Sequence, residues 1–321
     1  MPMRNAVTKL IPLALATAGL AGALTACSTP HAPAPAALAG FPSAPQPDNP
    51  VVYRDGNTEL LADGSLVLPL DGYDAYAQPT DRTLLTDALT TVESTCMQAH
   101  GAHLPAGYAT MDMPKPLPPL TYYGVTTTAQ ARTTAYRLPG TDDTRNTTQA
   151  LATTADQNAF YGNSGCAQAA HASLQLSRAD NAFNTVQDLR SQALLSLIAD
   201  PALKTANAAW SSCMKTAGYD YATPTGPGHD KSLLGKGLPT PPGSSLPPVS
   251  PDERTAAQTD VTCKQKTNYL QTYATLAAEH QNRLIEQNTQ KLQQALHDWQ
   301  TVLTTARTHA GAPHGSPTPT P

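Results

Sequence analysis

Five cysteines carry most of the chemistry that this chain of 321 residues offers. Cys27 closes the stretch Leu24-Thr25-Ala26-Cys27, a lipobox: small residues fit a peptidase cleft, and the thiol at the cut site is the nucleophile that takes a diacylglycerol. Acyl chains contribute about 0.8 kcal/mol per buried methylene, so a cysteine acylated in this way anchors a protein without any segment spanning the bilayer. Cys96, Cys166, Cys213 and Cys263 remain, and an even number in an exported chain points to two disulfides. No Cys-x-x-Cys is present for a thioredoxin-like centre, and no cysteine pair has zinc-ligand spacing. Neither a metal nor a cofactor is expected.

Other residue groups promise less. Ser212-Cys213-Met214-Lys215 has the Ser-x-x-Lys spacing in which a lysine activates a serine, but its companion motifs are missing and the serine flanks a disulfide cysteine. A solvated helix face accounts for it better. His100 and His103 offer two imidazoles with no third ligand beside them, and Asp55-Gly56-Asn57-x-Glu59 lacks the ligand ladder of a calcium loop and reads as a turn. Asn146-Thr147-Thr148 forms a glycosylation sequon, which means little in a bacterium. Trp210, Tyr219 and Tyr221 would line a groove or, more simply, pack against the bridge at Cys213. No serine-hydrolase elbow, zinc-protease motif or phosphate loop is found, so no catalytic residue is assigned.

The elements around these residues begin with an export signal. Arg4 and Lys9 are the only charges in residues 1–26, and the apolar run from Leu10 to Leu24 is shorter than the roughly 20 residues of a permanent span. Residues 27–50 form the acylated cysteine and a tether of Ala and Pro, too poor in large apolar groups to fold. At about 3.1 Å per residue it would reach roughly 70 Å. Cleavage before Cys27 leaves 18 basic and 24 acidic side chains, a net charge of −6. Nucleic acid and anionic wall polymers both require local positive potential, so neither is an expected partner. Thirty prolines and three phenylalanines imply irregular backbone around a modest core.

The remainder reads as mainly α: a disulfide-stapled helical bundle with Pro-rich loops, a little β near its N-terminal end and a long C-terminal helix. Turns at Asp55-Gly56, Asp63-Gly64 and Asp71-Gly72 suit a small hairpin in residues 51–80. Asp81 is placed to cap a helix to about His100, with Gly101 ending it in the left-handed conformation. Residues 151–198 predict one or two helices around Cys166. Asp200-Pro201 opens another that ends near Gly218, and a mobile Pro/Gly loop covers 222–250. Ser250-Pro251-Asp252-Glu253 combines a capping serine, a first-turn proline and a capping-box glutamate. From there one unbroken helix is expected to about His309, roughly 85 Å long. Its seam includes Leu284, Leu292, Leu296, Trp299 and Leu303. These five would form a surface for an envelope partner or a second copy, or equally would pack along the body. Residues 310–321 read as a disordered tail.

Cys96-Met97-x-x-x-Gly101 parallels Cys213-Met214-x-x-x-Gly218, and each is followed by a Pro-rich loop and one more cysteine. A domain over 51–309 built from two lobes, about 66–175 and 190–309, would close one bridge in each. The pairings Cys96–Cys166 and Cys213–Cys263 are therefore favoured.

Leu68-Pro69-Leu70-Asp71-Gly72-Tyr73, Cys96-Met97, Tyr123-Gly124, Phe160-Tyr161-Gly162 with Gly165-Cys166, Trp210-Ser211-Ser212-Cys213-Met214 with Gly218-Tyr219, Asp260-Val261-Thr262-Cys263-Lys264, and the segment from His280-Gln281 to Asn288 form a combination. In it, the chain resembles a family of uncharacterised secreted and lipid-anchored proteins of high-GC Gram-positive bacteria. The resemblance covers most of residues 66–300 and implies the four-cysteine architecture; the family has no assigned activity. Its members often carry an aromatic residue after the first glycine, where this chain has Ala102. The expectation is a non-catalytic lipoprotein on the extracytoplasmic face of the cell membrane, presenting its long helix to a partner. The alternative is an extracytoplasmic hydrolase of wall or peptide substrates. A solute-binding subunit is disfavoured, because no alternating strand–helix pattern appears.

Overall fold

The computed structural model describes residues 49–105, 108, 120–137, 151–241 and 247–310. Cys27 with its signal, the tether up to residue 48, the Pro-rich run at 113–119, the sequon at Asn146 and the 311–321 tail lie outside them. A small antiparallel sheet comes first, in the order β1 (Val51–Asp55), β2 (Thr58–Leu61) and β3 (Leu66–Val67). Asp55 pairs with Thr58 across a two-residue turn, where Gly56 supplies the positive φ that such a turn requires. This is the turn, not a cation loop, that the Asp55–Glu59 sequence suggested.

Helices follow: α1 (Pro79–Ala99), α2 (Leu120–Tyr123), α3 (Thr128–Thr133), α4 (Thr154–Tyr161), α5 (Cys166–Ser173), α6 (Leu176–Ala199), α7 (Pro201–Thr216), α8 (Pro251–Lys266), α9 (Tyr269–Gln287) and α10 (Thr289–Ala310). The fold is mainly α. Two caps sit where the sequence places them: Asp200 accepts from the Ala202 N–H at 2.7 Å and Ser250 from the Glu253 N–H at 3.1 Å. Helix α1 differs, starting at Pro79 with Gln78 as its cap, so Asp81 lies in the first turn.

The single long C-terminal helix does not form. It is three helices, broken at Asn268, which adopts φ 54° and ψ 32°, and again at Asn288. Asparagine tolerates the left-handed region that other side chains avoid. The breaks take only Thr267–Asn268 and Asn288, too few residues to interrupt the run of apolar positions in the sequence, and so they escape a periodicity reading.

Helices α9 and α10 run antiparallel along the whole of α6. Leu176, Ala179 and Ala182 meet Trp299, Leu303 and Ala306; Val186 and Leu189 meet Ile285 and Leu292; Leu197 meets Tyr269, Tyr273 and Ala277. The expected partner surface is therefore core: Leu292, Trp299 and Leu303 are buried, and Leu284 and Leu296 are half-buried against the same cluster. Helix α6, itself apolar along one stripe, covers the seam. Helix α10 also packs on α1, so a segment assigned to the second lobe completes the core of the first.

The repeat is real at the helix ends. Ala102 N–H donates to Met97 O and Gly101 N–H to Gln98 O; Tyr219 N–H donates to Met214 O and Gly218 N–H to Lys215 O. Both sets are the same Schellman closure, with glycines at φ 67° and 92°. The bridges are Cys96–Cys166 and Cys213–Cys263, each with Cα atoms 5.6 Å apart. After each second cysteine comes a one-residue left-handed corner, Gln175 or Asn268, and then a long helix, α6 or α9.

In urea unfolding, Trp299→Ala is expected to cost about 3–5 kcal/mol and Leu292→Ala about 2–5. Leu195→Ala, on the exposed face of α6, should stay within about 0.5 kcal/mol. An unchanged midpoint for Trp299→Ala would contradict the burial of this seam.

Candidate functional site

The most deeply buried ionisable groups lie on α8. Asp260 and Lys264 are four residues apart, one helical turn, and both are buried. Trp210 Nε1 of α7 donates to Asp260 Oδ1 at 2.8 Å. Lys264 Nζ reaches the same carboxylate at 2.9 Å and donates to the Val125 carbonyl at 2.6 Å. Burial pushes the Asp260 carboxyl up and the Lys264 amine down, and each charge opposes the shift of the other. The Tyr136 hydroxyl lies beside Asp260, its phenol pushed well up by burial. Gly124, at φ 73°, allows this closeness: a Cβ there would stand 2.3 Å from Pro224 O and 3.0 Å from Lys264 Nζ. The cluster ties α7, α8 and the 123–136 segment together.

A second cluster pins the region expected to be mobile. Arg137 makes a two-pronged pair with Glu253 at 2.9 and 2.8 Å and donates to Pro247 O. Glu253 also accepts from the Gly235 N–H at 2.8 Å, so its carboxylate does not reach back to Ser250 as a capping box would. Tyr221 donates to Asp230, and Leu233 is buried against α8. Contacts thus hold this stretch at Tyr221, Asp230, Leu233 and Gly235, while residues 237–241 are exposed and 242–246 lie outside the described residues.

Two further pairings stitch distant segments. Arg190 of α6 bridges Asp71 and Asp74, while Gln281 of α9 accepts from the Leu70 N–H. His280 lies 2.9 Å from Asp200, the α7 cap. Asp200 is held below the usual carboxylate range first by the Ala202 N–H and then by His280. Asp156 is held down by the His103 N–H and by Thr153.

The sequence candidates are scattered. Ser212 is exposed, and Lys215 reaches only the exposed Asp220 at 3.6 Å. His100 and His103 are exposed, and the contact of His103 is through its backbone N–H to Asp156. Trp210 is buried, and Tyr219 and Tyr221 pack half-buried beside it. A groove of about 430 Å³ opens between the end of α7 and α8, lined by Cys213, Thr216, Thr255, Thr259, Thr262 and Lys266.

Sequence spacing missed one association. His100 follows Cys96 by one helical turn, and its ring lies within 4.8 Å of both sulfurs of the Cys96–Cys166 bridge. The i, i+4 spacing is the signal that would have found it. With the sulfurs bonded to each other, these three residues hold no metal in the oxidised protein.

The Asp260–Lys264 pair and the two hydrogen-bonded carboxylates, Asp156 and Asp200, each carry a prediction. Lys264→Met should cost about 3–5 kcal/mol by stranding Asp260, and adding Asp260→Leu should restore part of that loss. A depressed carboxyl contributes stability that is complete above its unfolded pKa of about 4 and lost as pH falls through the folded value. Acid unfolding should therefore sharpen below about pH 4, and the pair Asp156→Asn and Asp200→Asn should flatten the pH dependence of the urea midpoint there. A midpoint that falls equally steeply in that variant would remove these groups from the account. Compared with family models, curated proteins and solved structures, the chain matches none.

Proposed function

We propose that this chain is a lipid-anchored envelope protein whose helical domain is a non-catalytic binding or scaffold module outside the membrane. On the motifs quoted above, it belongs with the four-cysteine secreted and lipid-anchored proteins of high-GC Gram-positive bacteria. The observation that carries the reading is where the ionisable groups go. Arg137 with Glu253, and Arg190 with Asp71 and Asp74, pair segments far apart in the chain, while Asp260 and Lys264 pair within α8 and reach out to Trp210 and the Val125 carbonyl. To serve a hydrolase, these groups would have to be released from the contacts that hold the fold.

Cys27, with the lipobox before it, supplies the anchor, and the Ala/Pro tether supplies reach. Among the described residues no helix is long and apolar enough to cross a membrane. The seam from Leu284 to Leu303 is buried or half-buried within the fold. The large exposed apolar side chains are elsewhere, among them Leu195 and Ile198 on α6, at 69 % and 56 % exposure.

Cys27→Ala should abolish incorporation of labelled palmitate and release the protein from the membrane fraction. Retention of label would refute lipidation at this residue. For the scaffold reading, photo-crosslinking amino acids at the exposed positions Leu195, Ile198, Tyr122 and Tyr161 should yield a discrete adduct of defined mass from intact cells. Only uncrosslinked monomer from all four positions would overturn it.

A further inference from the structure

The two bridges are built alike but are chemically unequal. Each joins a half-buried cysteine in the last turn of a long helix, Cys96 of α1 or Cys213 of α7, to a buried one, Cys166 or Cys263. Access is shared, since Cys213 and Cys263 also line the open groove beside α8. Electrostatics is not shared. Cys166 is the first residue of α5, where unpaired N–H groups and the helix dipole favour a thiolate. Cys263 lies in the last turn of α8, at the carbonyl end, where a thiolate is disfavoured. The second difference sits at matched positions of the repeat: the residue four after the first cysteine is His100 in one copy and Ala217 in the other. Among the described residues only the first bridge has an imidazole within 4.8 Å of both sulfurs, and histidine is the side chain that exchanges protons near neutrality.

We infer that Cys96–Cys166 is a thiol-exchange site, whereas Cys213–Cys263 is a permanent staple. An incoming thiolate attacks the more exposed Cys96 Sγ. A new sulfur–sulfur bond forms there as the Cys96–Cys166 bond breaks, and the electron pair leaves on Cys166 Sγ. That thiolate rests at the α5 N-terminus or takes a proton from His100. One disulfide replaces another, so the thiol is the only co-reactant. Burial disfavours a thiolate on Cys166 and Cys263 alike, so the difference between these two leaving groups is the helix end at which each sits, and exchange is faster with the better-stabilised leaving thiolate. The substrate is thus an accessible thiol, small or on a protein.

The test uses the full-length oxidised protein in detergent, exposed to glutathione as a small thiol or to thioredoxin as a protein dithiol. Timed alkylation and peptide mass spectrometry follow each bridge. With at least one probe, Cys96–Cys166 should open about ten-fold or more faster than Cys213–Cys263, and the probe that opens it faster identifies the source. The glutathione adduct should map to Cys96. His100→Ala should slow the first bridge several-fold and leave the second unchanged. Loss of a merely structural histidine would loosen the helix end and speed opening, so slowing is the discriminating sign. Equal rates for the two bridges with both probes, an adduct on Cys166, or an unslowed His100→Ala protein would overturn the inference.

Discussion

Alanine is the commonest side chain where α1, α5, α6 and α10 meet: Ala75, Ala88, Ala170, Ala179, Ala182, Ala295 and Ala306 make up nearly half of a cluster whose larger members are mostly leucines, with Trp299 and Tyr76. Small side chains let helices approach closely but remove little apolar surface from water, and burial contributes only about 25 cal/mol per Å². A core of this composition gains from covalent constraint. Bridges spanning 70 and 50 residues contribute about 4 kcal/mol each in the chain-entropy model, against a net stability of about 5–15 kcal/mol for a typical domain. The two cystines are therefore a large share of what keeps the native state populated.

The charged clusters do a different job. Placing Asp260 and Lys264 out of water is costly, and an apolar pair of similar volume would often be as stable. What the pair provides is address. A lysine that must find both Asp260 and the Val125 carbonyl admits one placement of the 123–136 segment on α8. Arg137 on Glu253 and Pro247 fixes the start of α8, with Gly235 on the same carboxylate, beside that segment, and Arg190 fixes the turn at 69–74 to α6. Pairings of this kind select one arrangement of the described loops on an otherwise permissive helical frame.

Much of this was legible in the sequence where a local rule acts alone. The Asp200 and Ser250 caps, the glycine ends at 101 and 218, the Gly56 turn and the mainly α class each follow from a residue and its immediate neighbours. The bridge pairing was legible because the Cys-Met…Gly unit occurs twice. Where two segments compete for one surface, the reading failed. An apolar seam from Leu284 to Leu303 says that something covers it, not that α6 does. Glu253 was assigned to its own helix end because a single sequence cannot show Arg137 arriving from more than a hundred residues away. Asn268 and Asn288 broke the helix without breaking its periodicity. The placement of His100 on the first bridge was present in the spacing but carried meaning only once Cys166 was known to be there.

The central claim, that each repeat closes on its own cystine in an oxidising compartment, is tested most directly by non-reducing peptide mapping of the protein taken from the cell envelope. The account predicts two linked peptide pairs, one holding Cys96 with Cys166 and one holding Cys213 with Cys263. Linkage between the repeats, or four free thiols in the native protein, would contradict it.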